Sequence, residues 1–141
     1  MKYIALFLVC LSLTACDHFY FVYVYNKSSS DAYIKTKPSI ESLHPASDSF
    51  RDLFRDSILK HKISQKDGFS TYKVASNERF LIDAGFDRPS IKHLPVDWIE
   101  LNNAKDTIIL DGKEKIFKQL IKVDTTHPKR KNGSYYIEIK N

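Results

Sequence analysis

The chain has 141 residues, of which 43% are hydrophobic and 28% are charged. This length is enough for one domain with a hydrophobic core and too short for two domains that each have a sizeable core. The formal net charge of +5 is modest, and the four glycines are too few to build a glycine-rich phosphate-binding loop. The composition therefore argues against nucleotide use.

The N-terminus has the layout of a secretory signal. Met1-Lys2 gives a short basic start, residues 3–13 are almost uninterruptedly apolar, and Leu13-Thr14-Ala15-Cys16 ends the run with small residues before a cysteine. A transmembrane span needs about 20 apolar residues. Because Asp17 and His18 interrupt the run well before that length, we expect export rather than a membrane-spanning helix.

Leu13-Thr14-Ala15-Cys16 resembles the lipobox of bacterial lipoproteins, and the resemblance covers residues 1–17. It implies that residues 1–15 are removed as a signal peptide, that Cys16 carries a diacylglyceryl group on its sulfur, and that residues 16–141 form the mature domain. Two or three acyl chains satisfy the requirement that stable anchoring takes more than one. The implied location is the bacterial cell envelope, lipid-anchored to a membrane. Asp17 resembles an inner-membrane retention signal, and the choice between inner and outer membrane stays open.

The cysteine count narrows the possible chemistry. If Cys10 leaves with the signal peptide and Cys16 is lipidated, the folded domain holds no thiol. Disulfides, thiolate metal sites and cysteine nucleophiles are then excluded. Because exported lipoproteins rarely meet nucleic acid, the expected partners are the membrane, through the lipid, and an envelope protein.

Residues 19–25 are all aromatic or valine, which favours the first β-strand of the domain. The strand begins about three residues after Cys16, so the domain has almost no tether and is expected to lie against its membrane. Residues 26–31 are rich in turn formers, and residues 32–36 read as a returning strand. The prediction is an N-terminal hairpin.

Alternation along this hairpin predicts a candidate partner-binding face. If Val22, Val24 and Ile34 face the core, the aromatic side chains between them point the other way. Tyrosine combines apolar area with a polar tip and is common at interfaces. The alternative is that a helix buries the aromatic stripe, which Tyr136 can extend. The predicted face comprises Phe21, Tyr23, Tyr25 and Tyr33.

The next segments predict a helix and a second hairpin. Residues 47–62 place apolar side chains at helical spacing, and Ser47 or Asp48 can serve as the N-cap. Strands are predicted at residues 69–75 and 79–84, as a hairpin that brings Tyr72 close to Phe80.

The C-terminal half predicts a loop over residues 85–95, then strands at 98–101 and 107–110. Residues 113–122 fit a helix or a strand, and a capping-box pattern at Asp111 and Glu114 favours the helix. The last strand, residues 134–139, places Tyr135, Ile137 and Ile139 on one side.

About seven strands and one or two short helices without regular helical crossovers predict a mainly β fold. The expected architecture is a single small antiparallel β-sandwich-like domain, with an α+β arrangement as the alternative.

No motif indicates catalysis, a cofactor or a metal. The five histidines lack the close spacing of a metal site, and no serine has the Gly-x-Ser-x-Gly context of a hydrolase. Asp83 and Asp87 flank a glycine, and they fit a strand end better than a calcium loop or an acid–base pair. We therefore predict a protein that is not an enzyme.

Three hypotheses of function follow. The first is a non-catalytic binding or accessory lipoprotein that contacts an envelope protein. The second is an immunity or inhibitor lipoprotein directed against an envelope toxin or lytic enzyme. The third is an enzyme or small-ligand carrier with a site assembled from distant residues such as His93, Asp83 and Asp87, which requires a deep pocket.

Overall fold

The computed structural model describes residues 19–38, 40, 48–124 and 133–140. The predicted signal peptide and Cys16 lie outside these residues. Within them the chain forms nine strands and two α-helices. The elements in chain order are β1 (Phe19–Asn26), β2 (Ala32–Lys37), α1 (Asp48–His61), β3 (Lys62–Lys66), β4 (Phe69–Val74), β5 (Arg79–Phe86), β6 (Trp98–Asn102), β7 (Thr107–Asp111), α2 (Lys113–Lys118), β8 (Ile121–Asp124) and β9 (Gly133–Ile139).

The strands form two sheets, which confirms the prediction of a mainly β, sandwich-like domain. The first sheet has the order β5-β1-β9-β8 and the second has the order β3-β4-β2-β6-β7. All pairings are antiparallel except that of β1 with β9. Inward side chains of both sheets, among them Val24, Ile34, Phe80 and Ile99, fill the interior.

The predicted N-terminal hairpin is wrong, because β1 and β2 belong to different sheets. β1 pairs with β5 and β9, whereas β2 pairs with β4 and β6. The intervening turn is a corner that carries the chain from one sheet to the other. Val24 and Ile34 still both face the core, since alternation fixes which side is buried but not which strand is the neighbour.

The second predicted hairpin is wrong for the same reason. β4 and β5 lie in opposite sheets, although the rings of Tyr72 and Phe80 do meet across the core with centroids 4.4 Å apart. The true hairpin partner of β4 is β3, a strand that was not predicted from the sequence. Asp67 and Gly68 join them with positive φ angles of 54° and 77°, which suits an Asp-Gly hairpin turn.

The helices close the sides of the sandwich. α1 confirms the predicted first helix and packs Ile58 and Phe54 against the core. Residues 113–122 were expected to form either a helix or a strand, and they contain both. α2 ends at Lys118 and β8 begins at Ile121. The predicted capping box is absent. Gly112, with a φ of 98°, is the N-cap residue of α2, and no side chain caps the helix.

Candidate functional site

The four residues of the predicted partner-binding face do not share one surface. Phe21, Tyr23 and Tyr25 lie on the outward side of β1 in the first sheet, whereas Tyr33 lies on the outward side of β2 in the second sheet. Each points away from the core as alternation predicted. The face divides because the two strands turn a corner instead of forming a hairpin.

Around β1 the outward aromatic rings pack on one another. Tyr23 stacks on Tyr136 with centroids 5.7 Å apart, and Tyr25 lies 5.8 Å from the same ring. The guanidinium of Arg79 lies 5.2 Å from the Tyr25 ring and 5.1 Å from the Tyr136 ring, a cation–π geometry. We call the residues Phe21, Tyr23, Tyr25 and Tyr136 the tyrosine face.

The rings of the tyrosine face bury much of one another's surface. Tyr136 is only 5% exposed, and Tyr23 and Tyr25 are half-buried. Burial, reinforced by the neighbouring Tyr136, raises the pKa of the Tyr23 phenol. The residual exposure is thus smaller than the open aromatic surface expected from the sequence.

A second aromatic cluster lies on the outward side of the second sheet. The rings of Phe69 on β4 and Trp98 on β6 meet edge to face with centroids 5.3 Å apart. Two ammonium groups from β2 cover the phenyl ring: Lys35 Nζ lies 4.6 Å and Lys37 Nζ 5.2 Å from its centroid. The only tryptophan of the chain is half-buried, as Tyr23 and Tyr25 are, and lies beside charged neighbours.

This cluster borders an open surface cleft of about 500 Å³. We call it the Trp98 cleft. It lies at one end of the second sheet, where β4, β2, β6 and β7 each begin or end. Here Lys37 pairs with Trp98, and Trp98 pairs with Asp111. Its lining residues are Lys37, Pro38, Phe69, Asp97, Trp98 and Asp111.

Backbone hydrogen bonds hold the floor of the cleft in place. The Asp97 N–H donates to the Lys37 carbonyl at 2.8 Å, and the Gly112 N–H donates to the Asp97 carbonyl at 2.8 Å. Lys113 Nζ lies 3.5 Å from Asp97 Oδ1. The site thus presents aromatic rings between carboxylate acceptors and ammonium donors on a preformed frame, which suits an apolar group with polar substituents.

The cleft was not predicted from the sequence, although β6 was. The available sign was the alternation of Ile99 and Leu101 with Trp98, which places the tryptophan on the outward side. That Phe69 and Asp111 converge on it depends on the pairing of β4, β2, β6 and β7, which no local pattern specifies.

Asp83 and Asp87, two of the residues suggested for a site assembled from distant positions, have different environments. Asp83 is buried on β5 and its Oδ2 accepts a hydrogen bond from the Tyr20 hydroxyl at 3.1 Å. Burial raises the pKa of Asp83 to about 6, although the Tyr20 bond and the charge of nearby His93 act against the shift. The pKa of Tyr20 is raised as well, by burial and by the carboxylate. Asp87 is exposed, on a turn with φ of 69°.

Within the described ranges, no three histidine, cysteine, aspartate or glutamate side chains come together as a metal site. In the same part of the chain, no helix is long and apolar enough to cross a membrane.

Comparison with protein-family profiles, with curated proteins and with solved structures found no match for this chain.

Proposed function

We propose that this protein is a lipid-anchored lipoprotein of the bacterial envelope that acts as a non-catalytic binding module through the Trp98 cleft. The observation that carries the proposal is the position of the only tryptophan. Trp98 and Phe69 point outward beside a cleft instead of joining the core. Tryptophan is among the residues that contribute most to binding when a partner covers it.

The chemistry of the cleft indicates the group it accepts. Phe69 and Trp98 offer apolar area, while Asp97, Asp111 and Lys37 offer hydrogen-bond acceptors and a donor around it. An anchor side chain of a partner protein, apolar in its body and polar at its tip, fits this arrangement. The proposed partner is therefore an envelope protein.

The proposed anchor is the lipid on Cys16. β1 begins at Phe19, three positions after that cysteine. So short a connection supports a domain that lies close to the membrane, with its partner next to the same surface.

The experiment is crosslinking capture from living cells followed by mass spectrometry. The full chain is compared with Trp98→Ala and with the matched control Ile63→Ala, which removes an exposed side chain from β3 of the same sheet. We expect one envelope protein to be captured by the full chain and by the control and to be lost with Trp98→Ala. Equal capture by all three proteins would contradict the assignment to the cleft.

Two further variants test the other parts of the proposal. Cys16→Ser is expected to move the protein from the membrane fraction to the soluble fraction. Tyr23→Ala changes the tyrosine face; loss of capture with this variant alone would transfer the binding site to the first sheet. A captured toxin or lytic enzyme would identify the immunity or inhibitor role.

A further inference from the structure

The outer strands of the two sheets differ in how they are protected against pairing with another strand. An unprotected outer strand offers unpaired backbone groups, and proteins block it with lysines, bulges or covering elements. In the part of the chain that the structure describes, α1 covers β5, and Ser57 Oγ accepts a hydrogen bond from the Leu81 N–H at 3.3 Å. β3 carries Lys62 and Lys66 and a register irregularity, and β8 is four residues long and carries Lys122.

β7 is the exception among these outer strands. It pairs regularly with β6 over all five residues, and its sequence TIILD contains no lysine. Ile108 and Ile109 are 41% and 55% exposed. Because successive side chains alternate, the two isoleucines lie on opposite faces of β7, so the strand is apolar and exposed on both faces at its outer edge. Such an outer strand is suited to the addition of another strand.

The hydrogen bonds at both ends of the β6–β7 pair show which backbone groups of β7 point outward. The Gly112 N–H donates to the Asp97 carbonyl at 2.8 Å, and the Asn103 N–H donates to the Asp106 carbonyl at 3.0 Å. Hydrogen-bonded and non-hydrogen-bonded pairs alternate along an antiparallel ladder. Counting inward from either end, Ile109 falls in a non-hydrogen-bonded pair, so its N–H and C=O point to the outer edge.

We propose that a second copy of this chain adds its own β7 antiparallel to this edge, with the twofold axis at Ile109. This register overlaps all five residues and lets the two Ile109 residues exchange both backbone hydrogen bonds. The Thr107 N–H also points to the outer edge, but it already donates to Asp106 Oδ1 of its own chain at 2.8 Å, so the bonds at Ile109 carry the pairing. The register places Thr107 opposite Asp111, so a hydroxyl meets a carboxylate and no two charges of the same sign are opposed. The strand is thus complementary to itself, which is the requirement of a twofold interface.

The dimer has a consequence for the Trp98 cleft. Asp111 lines the cleft and lies on β7 itself, two residues from the proposed axis. A twofold axis perpendicular to the sheet keeps both outward faces on the same side. The two clefts would then flank one continuous ten-stranded sheet, whatever ligand they bind.

The test is register-specific disulfide trapping of the full-length protein in detergent, with copper phenanthroline as the oxidant. In the proposed pairing the two Ile109→Cys residues have Cα atoms about 5.5 Å apart, within the range of a disulfide. Two Thr107→Cys residues lie about 14 Å apart and cannot be joined. We expect about tenfold more covalent dimer from Ile109→Cys than from Thr107→Cys or from the parent chain, which controls for Cys10 and Cys16.

A mixture of Thr107→Cys protein with Asp111→Cys protein is expected to form a covalent heterodimer, because these positions oppose each other in this register only. Adding Ile109→Pro to both proteins is expected to abolish it. Proline there removes an N–H that does not bond to β6, which leaves the fold intact as checked by circular dichroism. Equal trapping at all positions, trapping that survives the proline, or no trapping at Ile109→Cys would each overturn the proposal.

Discussion

Asn26 is the residue that fixes the corner between the two sheets. Its side chain is fully buried at the end of β1, where Nδ2 donates to the carbonyls of Ser30 and Val74 at 2.8 and 3.0 Å. Oδ1 accepts hydrogen bonds from the N–H and the hydroxyl of Ser28. One amide thus ties the corner between β1 and β2 to β4 of the second sheet.

We expect Asn26→Ala to lower the free energy of unfolding by about 3 kcal/mol, because it leaves buried donors and acceptors without partners. The matched control is Asn102→Ala, which removes an amide that binds the Thr107 hydroxyl at the surface and is expected to change stability by less than about 0.5 kcal/mol. Denaturant unfolding of both variants measures the difference. Equal stability of the two variants would show that the corner does not depend on this side chain.

Asp83 makes stability depend on pH. Its pKa of about 6 in the folded state lies above the ordinary aspartate value of about 3.9, so the folded protein holds this proton more tightly than the unfolded chain. The stabilising contribution is therefore complete below about pH 4 and is lost as the pH rises through 6.

Asp83→Asn removes the charge and keeps an acceptor for the Tyr20 hydroxyl. We expect the variant to match the parent protein near pH 4 and to exceed its unfolding free energy by about 3 kcal/mol at pH 8. Chemical denaturation at pH 4, 6 and 8 measures both proteins. A difference that stays constant over this range would rule out a raised pKa at this position.

At the scale of elements, α1 both protects an outer strand and adds to the core. Neighbouring residues of the helix have opposite environments: Ile58 is 9% exposed against the core, whereas Leu59 is 72% exposed. The same helix carries Ser57, which bonds the outer edge of β5.

We expect Ile58→Ala to reduce the unfolding free energy by about 3 kcal/mol through lost burial and the cavity it leaves. Leu59→Ala changes the same kind of side chain one position along the helix and is expected to have an effect below about 0.5 kcal/mol. Thermal and denaturant unfolding give both values. A comparable loss from Leu59→Ala would mean that the helix packs through its other face.

Seven strands and the faces they bury were predictable from the sequence, whereas β3, β8 and the neighbours of each strand were not. The alternation of Val22 and Val24 with Tyr23 and Tyr25 correctly predicted which side chains are buried. That β1 pairs with β5 and with β9, far along the chain, depends on contacts that no short pattern encodes. Short polar turns such as residues 26–31 fit a hairpin or a corner equally well, and the choice of hairpin was wrong.

At the scale of the whole molecule, strand neighbours that the sequence does not reveal decide where the candidate sites lie. The predicted aromatic face required a hairpin and divided when the strands entered different sheets. The Trp98 cleft exists because β2, β4, β6 and β7 bring their ends together, so it emerges only with the complete second sheet. Among the described residues, Tyr136 of the tyrosine face is buried, whereas Trp98 and Phe69 lie beside an open cleft.

The most direct test of the Trp98 cleft as the contact site is photo-crosslinking in living cells with p-benzoylphenylalanine at position 69. The photoreactive residue preserves an aromatic ring in the cleft, and the same residue at position 63 on β3 serves as the control. We expect one discrete adduct with an envelope protein from position 69, none from position 63, and loss of the adduct when Trp98→Ala is added. No adduct from position 69, or the same adduct from both positions, would contradict it.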